Sequence, residues 1–170
     1  MTRHDFMIKW GVYTLALLPV WFLEAFVLPR YPLFGVSPML LPLTVVVVGV
    51  LEGAAGGAGF GVGVGALCSA VYTGSDGLIL LGLCLIGLGC GALSQYVLRR
   101  DLLGCFLCAL LGLCLLDFCR IALRMAGGER DWMAMFSLAG REILWSLVFV
   151  APVYALFHWV FQRVPKKTHF

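Results

Sequence analysis

Asp117, Arg120 and Arg124 stand at i, i+3 and i+7, on one face of a helix in a run otherwise made largely of Leu, Cys, Ile and Ala. Charges so placed either hold a partner's polar group or neutralise one another, because an unpaired charge at membrane depth costs about 2.5–3.5 kcal/mol on insertion scales. Three steps apart, Asp117 and Arg120 can meet on the helix surface, so the spacing predicts an ion pair between them with Arg124 extended toward an interface. A contact for a partner protein's membrane anchor is the alternative use. Glu24 and Glu52 are the other costly residues. Glu24 precedes Pro29-Arg30 by little more than a turn and Glu52 adjoins Gly53-Ala-Ala-Gly-Gly. Terminal placement predicts that both are solvated, with ligand or proton binding as the alternative. Glu142 follows Arg141 at the expected start of a segment, where a carboxylate favours a helix N-terminus.

Other chemistry finds little material. Cys68, Cys84, Cys90, Cys105, Cys108, Cys114 and Cys119 all fall in apolar runs. An odd number there argues against a disulfide framework, and buried cysteine behaves as a small hydrophobe. Cys105-x-x-Cys108 lacks the second pair and the loop setting of a zinc site. His4, His158 and His169 are scattered, neither H-E-x-x-H nor G-x-S-x-G occurs, and the glycine-rich run 53–65 lacks the Gly-Lys-Ser/Thr ending of a phosphate loop. No cofactor or metal is expected, and the chain is expected not to be an enzyme.

The elements that position these residues follow from hydropathy. The 170 residues are 62% hydrophobic and 12% charged, with a mean hydropathy of +1.00, against about 45–50% apolar and 25% charged in soluble domains. Between Arg30 and Arg99 the only charged side chains are Glu52 and Asp76. Uncharged runs of that length approach or reach the ~20 residues that cross hydrocarbon. The composition therefore predicts an all-α polytopic membrane bundle of about six transmembrane helices in one domain covering 1–170. The expected spans are 8–28, 38–51, 56–73, 78–97, 102–125 and 142–161. The first resembles a signal peptide without a small-x-small cleavage site and is expected to be retained. The region 38–73 as one helix would be roughly 54 Å long, so a break is expected at Glu52 and Gly53, with a re-entrant pair as the alternative. The last span contains Pro152.

With six spans both termini share a side. Arg3, Lys9, Arg99, Arg100, Arg163, Lys166 and Lys167 would then face Arg30, Arg124, Arg130 and Arg141 across the bilayer. That bias predicts cytoplasmic termini, and basic residues spread over segment ends exclude a nucleic-acid patch. Glycine recurs at Gly49, Gly53, Gly57, Gly61 and Gly65. Small residues let helices approach closely where lipid offers little hydrophobic gain for association. Gly57, Gly61 and Gly65 are expected to form one packing stripe, Gly87-x-x-x-Gly91 the surface it meets, and the same stripe is compatible with a partner interface.

Taken in order, these features resemble the MreD family of bacterial rod shape-determining proteins. The resemblance rests on Gly35-Val-Ser-Pro38-Met-Leu-Leu, the glycine run Gly53 to Gly63 with Phe60, the turn Gly74-Ser-Asp76-Gly77, Arg99-Arg100 and Pro152, and spans about residues 8 to 163. Met39 stands where the family usually has an aspartate, and an acid often found nearer the end of the third span comes late, as Asp76. The resemblance implies a non-catalytic scaffold in the cytoplasmic membrane, among membrane lipids. Its implied partners are MreC, the MreB filament and the cell-wall polymerase and transpeptidase of the elongation complex. It also implies a fold similar to the substrate-binding S components of energy-coupling-factor vitamin transporters, which makes such a component the alternative function. An S component usually carries an alanine-x-x-x-alanine motif on its docking helix, and Gly11, Ala16 and Ala25 do not supply that spacing.

Overall fold

The computed structural model describes residues 3–30, 38–71, 78–96, 101–127 and 132–163. The proline loop before residue 38, the acidic turn at 73–77, Arg99-Arg100, the polar stretch 128–131 and the C-terminal lysines lie outside them. Helices α1 (Arg3–Phe22), α2 (Leu40–Glu52), α3 (Ala54–Val71), α4 (Leu78–Tyr96), α5 (Leu102–Ala126), α6 (Trp132–Val148) and α7 (Val150–Arg163) make up nearly all of these residues. No strand occurs among them.

The breaks have local causes. α1 runs through Pro19 into a widened turn, Leu23–Val27, closed by the Leu28 N–H donating to the Leu23 carbonyl. Pro42 stands third in α2, inside the first turn, where a missing N–H costs nothing. α2 ends at Gly53, whose φ of 88° is open to glycine and strained for other residues. The chain therefore reverses over a single residue. Pro152, third in α7, cannot donate to the Val148 carbonyl and its ring crowds that group, which parts α6 from α7. The two meet at 45°. The span expected at 142–161 is thus a bent pair, and its first helix starts ten residues earlier, at Trp132.

Contacts set the helix directions. Lys9 meets Glu52 and Glu24 meets Leu41, so α1 and α2 are antiparallel. Gly57, Gly61 and Gly65 abut Gly87, Leu83 and Leu80 in turn, so α3 and α4 are antiparallel. Gly49 against Gly87 and Val50 against Ser94 set α2 and α4 parallel. Gly112 against Ile86 and Cys108 against Cys90 set α5 antiparallel to α4. Ser146 lies at Met39 and Phe157 at Tyr13, so α6 and α7 continue one traverse in the direction of α2. Successive traverses alternate, and the start of α1 and the end of α7 lie at one end of the bundle. We call this the Glu52 end and the other the Met39 end.

α2 forms the centre, with every residue from Leu40 to Leu51 buried. The outside is apolar: Leu15, Leu85, Leu103 and Leu144 are among the most exposed side chains, as expected of surfaces meeting acyl chains. Met7–Arg30, Ile79–Tyr96 and Leu102–Met125 are long and apolar enough to cross a membrane, and α6 with α7, taken as one bent span, makes four. α2, with 13 residues, is about 20 Å long, and α3, with 18 residues, about 27 Å.

Candidate functional site

Absent side chains bring the central three helices together. A Cβ on Gly49 would stand 2.8 Å from the Gly87 carbonyl oxygen, and one on Gly57 would stand 2.7 Å from the Gly49 Cα. Gly87 therefore sits in the crotch between α2 and α3, held on both sides by backbone. Gly61 faces the Leu83 carbonyl at 2.5 Å, Gly65 the Leu80 Cα at 2.7 Å, and Gly91 the Ala54 nitrogen at 2.5 Å. Gly59, Gly63, Gly82 and Gly89 have nothing within 4 Å of the same position. The stripe Gly57, Gly61, Gly65 thus lies against α4 within the chain, and its glycines are occupied by intrachain contacts.

At the Met39 end, the start of α2 is held by two other elements. The Leu41 N–H donates to Glu24 Oε2 at 2.6 Å and the Met39 N–H donates to Ser146 Oγ at 3.0 Å. A carboxylate at a helix start is favoured by the helix dipole and satisfies a donor that has no partner within the helix. Ser146 in turn donates to the Glu142 carbonyl at 2.7 Å. Beside this cap, Arg120 Nη1 lies 3.5 Å from Asp117 Oδ1, 3.8 Å from Glu142 Oε1 and 3.5 Å from Met39 Sδ. Asp117 Oδ2 is buried without a hydrogen-bond partner.

Two expectations need correction here. Glu24 is 6% exposed, not solvated, because the wide turn Leu23–Val27 carries it against the start of α2. Glu142 is not a first-turn charge, since α6 begins at Trp132; it lies well inside the helix and shares Arg120 with Asp117. Pairing across α5 and α6 had no sequence signal beyond the presence of an acid in an apolar segment.

The guanidinium shared by two carboxylates makes a double-mutant prediction. Asp117→Asn lowers the folded yield in membranes, since Arg120 loses its nearer carboxylate; Arg120→Gln added to it lowers the yield by less than Arg120→Gln alone, because only Glu142 is then left without its cation. The yield is read by fluorescence-detected size exclusion. Strictly additive losses would show that Asp117 and Arg120 act separately.

The Glu52 end holds a second polar group. Lys9 Nζ pairs with Glu52 Oε2, and the Tyr13 hydroxyl donates to Glu52 Oε1 at 2.8 Å. Lys9 is 7% exposed and Tyr13 fully buried. The pair counters an unfavourable arrangement, because Glu52 is the last residue of α2, where the helix dipole opposes negative charge. Around it, Tyr13 stacks on Phe157 at 6.1 Å, Trp10 stacks on Phe60 at 6.3 Å and Phe60 meets Phe157 edge-on. This corrects a third expectation: Glu52 is not solvated but held by Lys9 and Tyr13. The 43-residue separation of Lys9 from Glu52 lies beyond any local spacing rule.

The remaining inventory is structural. Cys90, Cys105 and Cys108 are buried between α4 and α5 as free thiols, and the Cys90 S–H donates to the Cys108 carbonyl at 3.6 Å. Among the described residues no group of three or more His, Cys, Asp or Glu is placed to hold a metal ion. His158 stacks on Tyr154 and meets Gln162 at 2.9 Å, both on its own helix.

The groups around Glu24, Ser146, Arg120 and Glu52 each tie one helix to another. No family model, curated protein or solved structure matches the chain.

Proposed function

We propose that this chain is a non-catalytic, multi-pass scaffold of the bacterial cell-elongation complex, related to MreD, and that its six alternating traverses each cross the cytoplasmic membrane. The support in the sequence is the ordered set Pro38, Gly53 to Gly63 with Phe60, Gly74 to Gly77, Arg99-Arg100 and Pro152. The observation that carries the reading is the use made of intramembrane charge. Lys9, Glu24, Glu52, Arg120 and Glu142 are turned toward other elements of the same chain, and Asp117 pairs with Arg120 on its own helix. A bundle that uses these buried charges for internal fixation is suited to presenting a fixed surface to partners. Its partners in this reading are MreC, the MreB filament and the wall-synthesis polymerase and transpeptidase, with both termini in the cytoplasm.

The test is co-purification from detergent-solubilised host membranes with the chain tagged. MreC from the same cells is expected in the eluate, and depletion of the chain is expected to turn rods into spheres. Calorimetric titration with riboflavin, thiamine and biotin covers the transporter alternative. Nanomolar binding of any of these, with no MreC recovered, would replace the scaffold with an S component.

A further inference from the structure

We propose that the Met39 end of the bundle binds an anionic phospholipid, its phosphate held by Arg120, Arg124 and Arg141 where α5 meets α6. The first support is the sorting of charge by burial. Among the described residues of this end, Glu24 and Asp117 are 6% and 5% exposed and the Glu142 side chain is 13% exposed. Arg30, Arg124 and Arg141 are exposed, and the Arg120 side chain is 36% exposed. Among the described residues of this end the carboxylates are turned inward and the guanidiniums outward, so the surface those residues present is cationic although the groups beneath it are mixed.

The second support is the accounting of donors. A guanidinium carries five N–H groups and no acceptor. All the contacts that Arg120 makes among the described residues run through Nη1, to Asp117, Glu142 and Met39. No described residue takes up its remaining edge, which can hold an acceptor from outside the chain. Arg124 and Arg141 make no ion pair among the described residues. Arg124 lies one turn beyond Arg120 on the same face, and Arg141 adjoins Glu142 at the level of Arg120. Arg120 and Arg124 thus share one face of α5, with Arg141 exposed on the neighbouring helix, and planar forks suit the tetrahedral oxygens of a phosphate.

The third support separates a lipid from other anions. Leu123 and Met125 on α5 and Met133 on α6 are all at least half exposed, so apolar surface borders the arginines. An amphiphile satisfies both halves at once, with phosphate on the guanidiniums and acyl chains on the leucine and methionines. An acidic protein segment would satisfy only the charge.

Native mass spectrometry of the purified protein, given equal phosphatidylglycerol and phosphatidylcholine, tests this. Phosphatidylglycerol is expected to be retained preferentially. The preference should fall about fivefold for each arginine removed in Arg124→Gln and Arg141→Gln, from about 1 kcal/mol for each cation near an anionic surface. Lysine at both positions should keep most of it, as should Arg163→Gln at the opposite end. All these residues are exposed, so unchanged thermal midpoints should certify the fold. Equal retention of the two lipids by the unmodified protein would overturn the proposal, as would an equal fall in Arg163→Gln. Tighter binding of a polyglutamate peptide than of phosphatidylglycerol, lost in the double glutamine variant, would assign the surface to a protein partner instead.

Discussion

Alanine at Gly87 is expected to abolish the folded state, whereas alanine at Gly89, two residues along the same helix, leaves it intact. A Cβ on Gly87 would lie 2.6 Å from the Gly57 carbonyl carbon and 2.9 Å from Val45 Cγ1, and would overlap the Gly57 carbonyl oxygen. Two of those atoms are backbone, so relief requires α3 to move as a body, and α3 is tied to α2 by the single residue Gly53. Overpacking of an interior costs about 1–3 kcal/mol where side chains can yield, and here the obstacle cannot yield by rotating. We expect a loss of about 3 kcal/mol or more, seen as aggregation in fluorescence-detected size exclusion. Gly89 has nothing within 4 Å of its Cβ position, so alanine there is expected to be neutral or stabilising by up to about 1 kcal/mol, the gain in helix propensity. Equal behaviour of the two variants would mean that α3 and α4 do not pack along this seam.

The second large effect is expected at the Glu52 end. Glu52→Gln leaves the Lys9 ammonium buried without a counter-charge and turns the acceptor of the Tyr13 hydroxyl from a carboxylate into a neutral amide oxygen. Breaking one side of a buried ion pair costs about 3–5 kcal/mol, because the survivor remains desolvated. Lys9→Met with Glu52→Gln removes both charges, and is expected to recover most of that loss. Tyr13→Phe should cost about 1.5–3 kcal/mol, the range for a hydrogen bond to a charged group. Thermal midpoints in one detergent, taken through the full cycle, measure the coupling. If the double variant is as unstable as the sum of the singles, the pair is not what fastens α1 to the bundle.

How much of this was legible beforehand depends on the range of each interaction. Helix was legible throughout, since apolar runs in lipid have few other ways to satisfy their backbone. The break at Gly53 was legible because one helix over 38–73 would be far too long and a glycine was there to end it. The break before Pro152 was signalled by the proline, yet the expectation placed one span across it. The start of α6 was misplaced because Trp132 to Arg141 is less apolar than the runs before it and reads as a loop edge. Asp117 and Arg120 stand three residues apart, and a spacing rule exists for that. Lys9 and Glu52, Glu24 and Leu41, and Arg120 and Glu142 have no such rule. Charge in an apolar run announces only that a partner must exist.

What the amino-acid order determined by itself is the solvent this chain folds in and the period of its small residues. Both are sums over neighbours in sequence, and hydropathy and spacing record such sums directly. Which helix fills the room left by each missing side chain, and which distant group answers each buried charge, was decided only when α2 was enclosed on all sides. Those choices depend on crossing geometry set jointly by several helices, and no stretch of the chain contains that information alone.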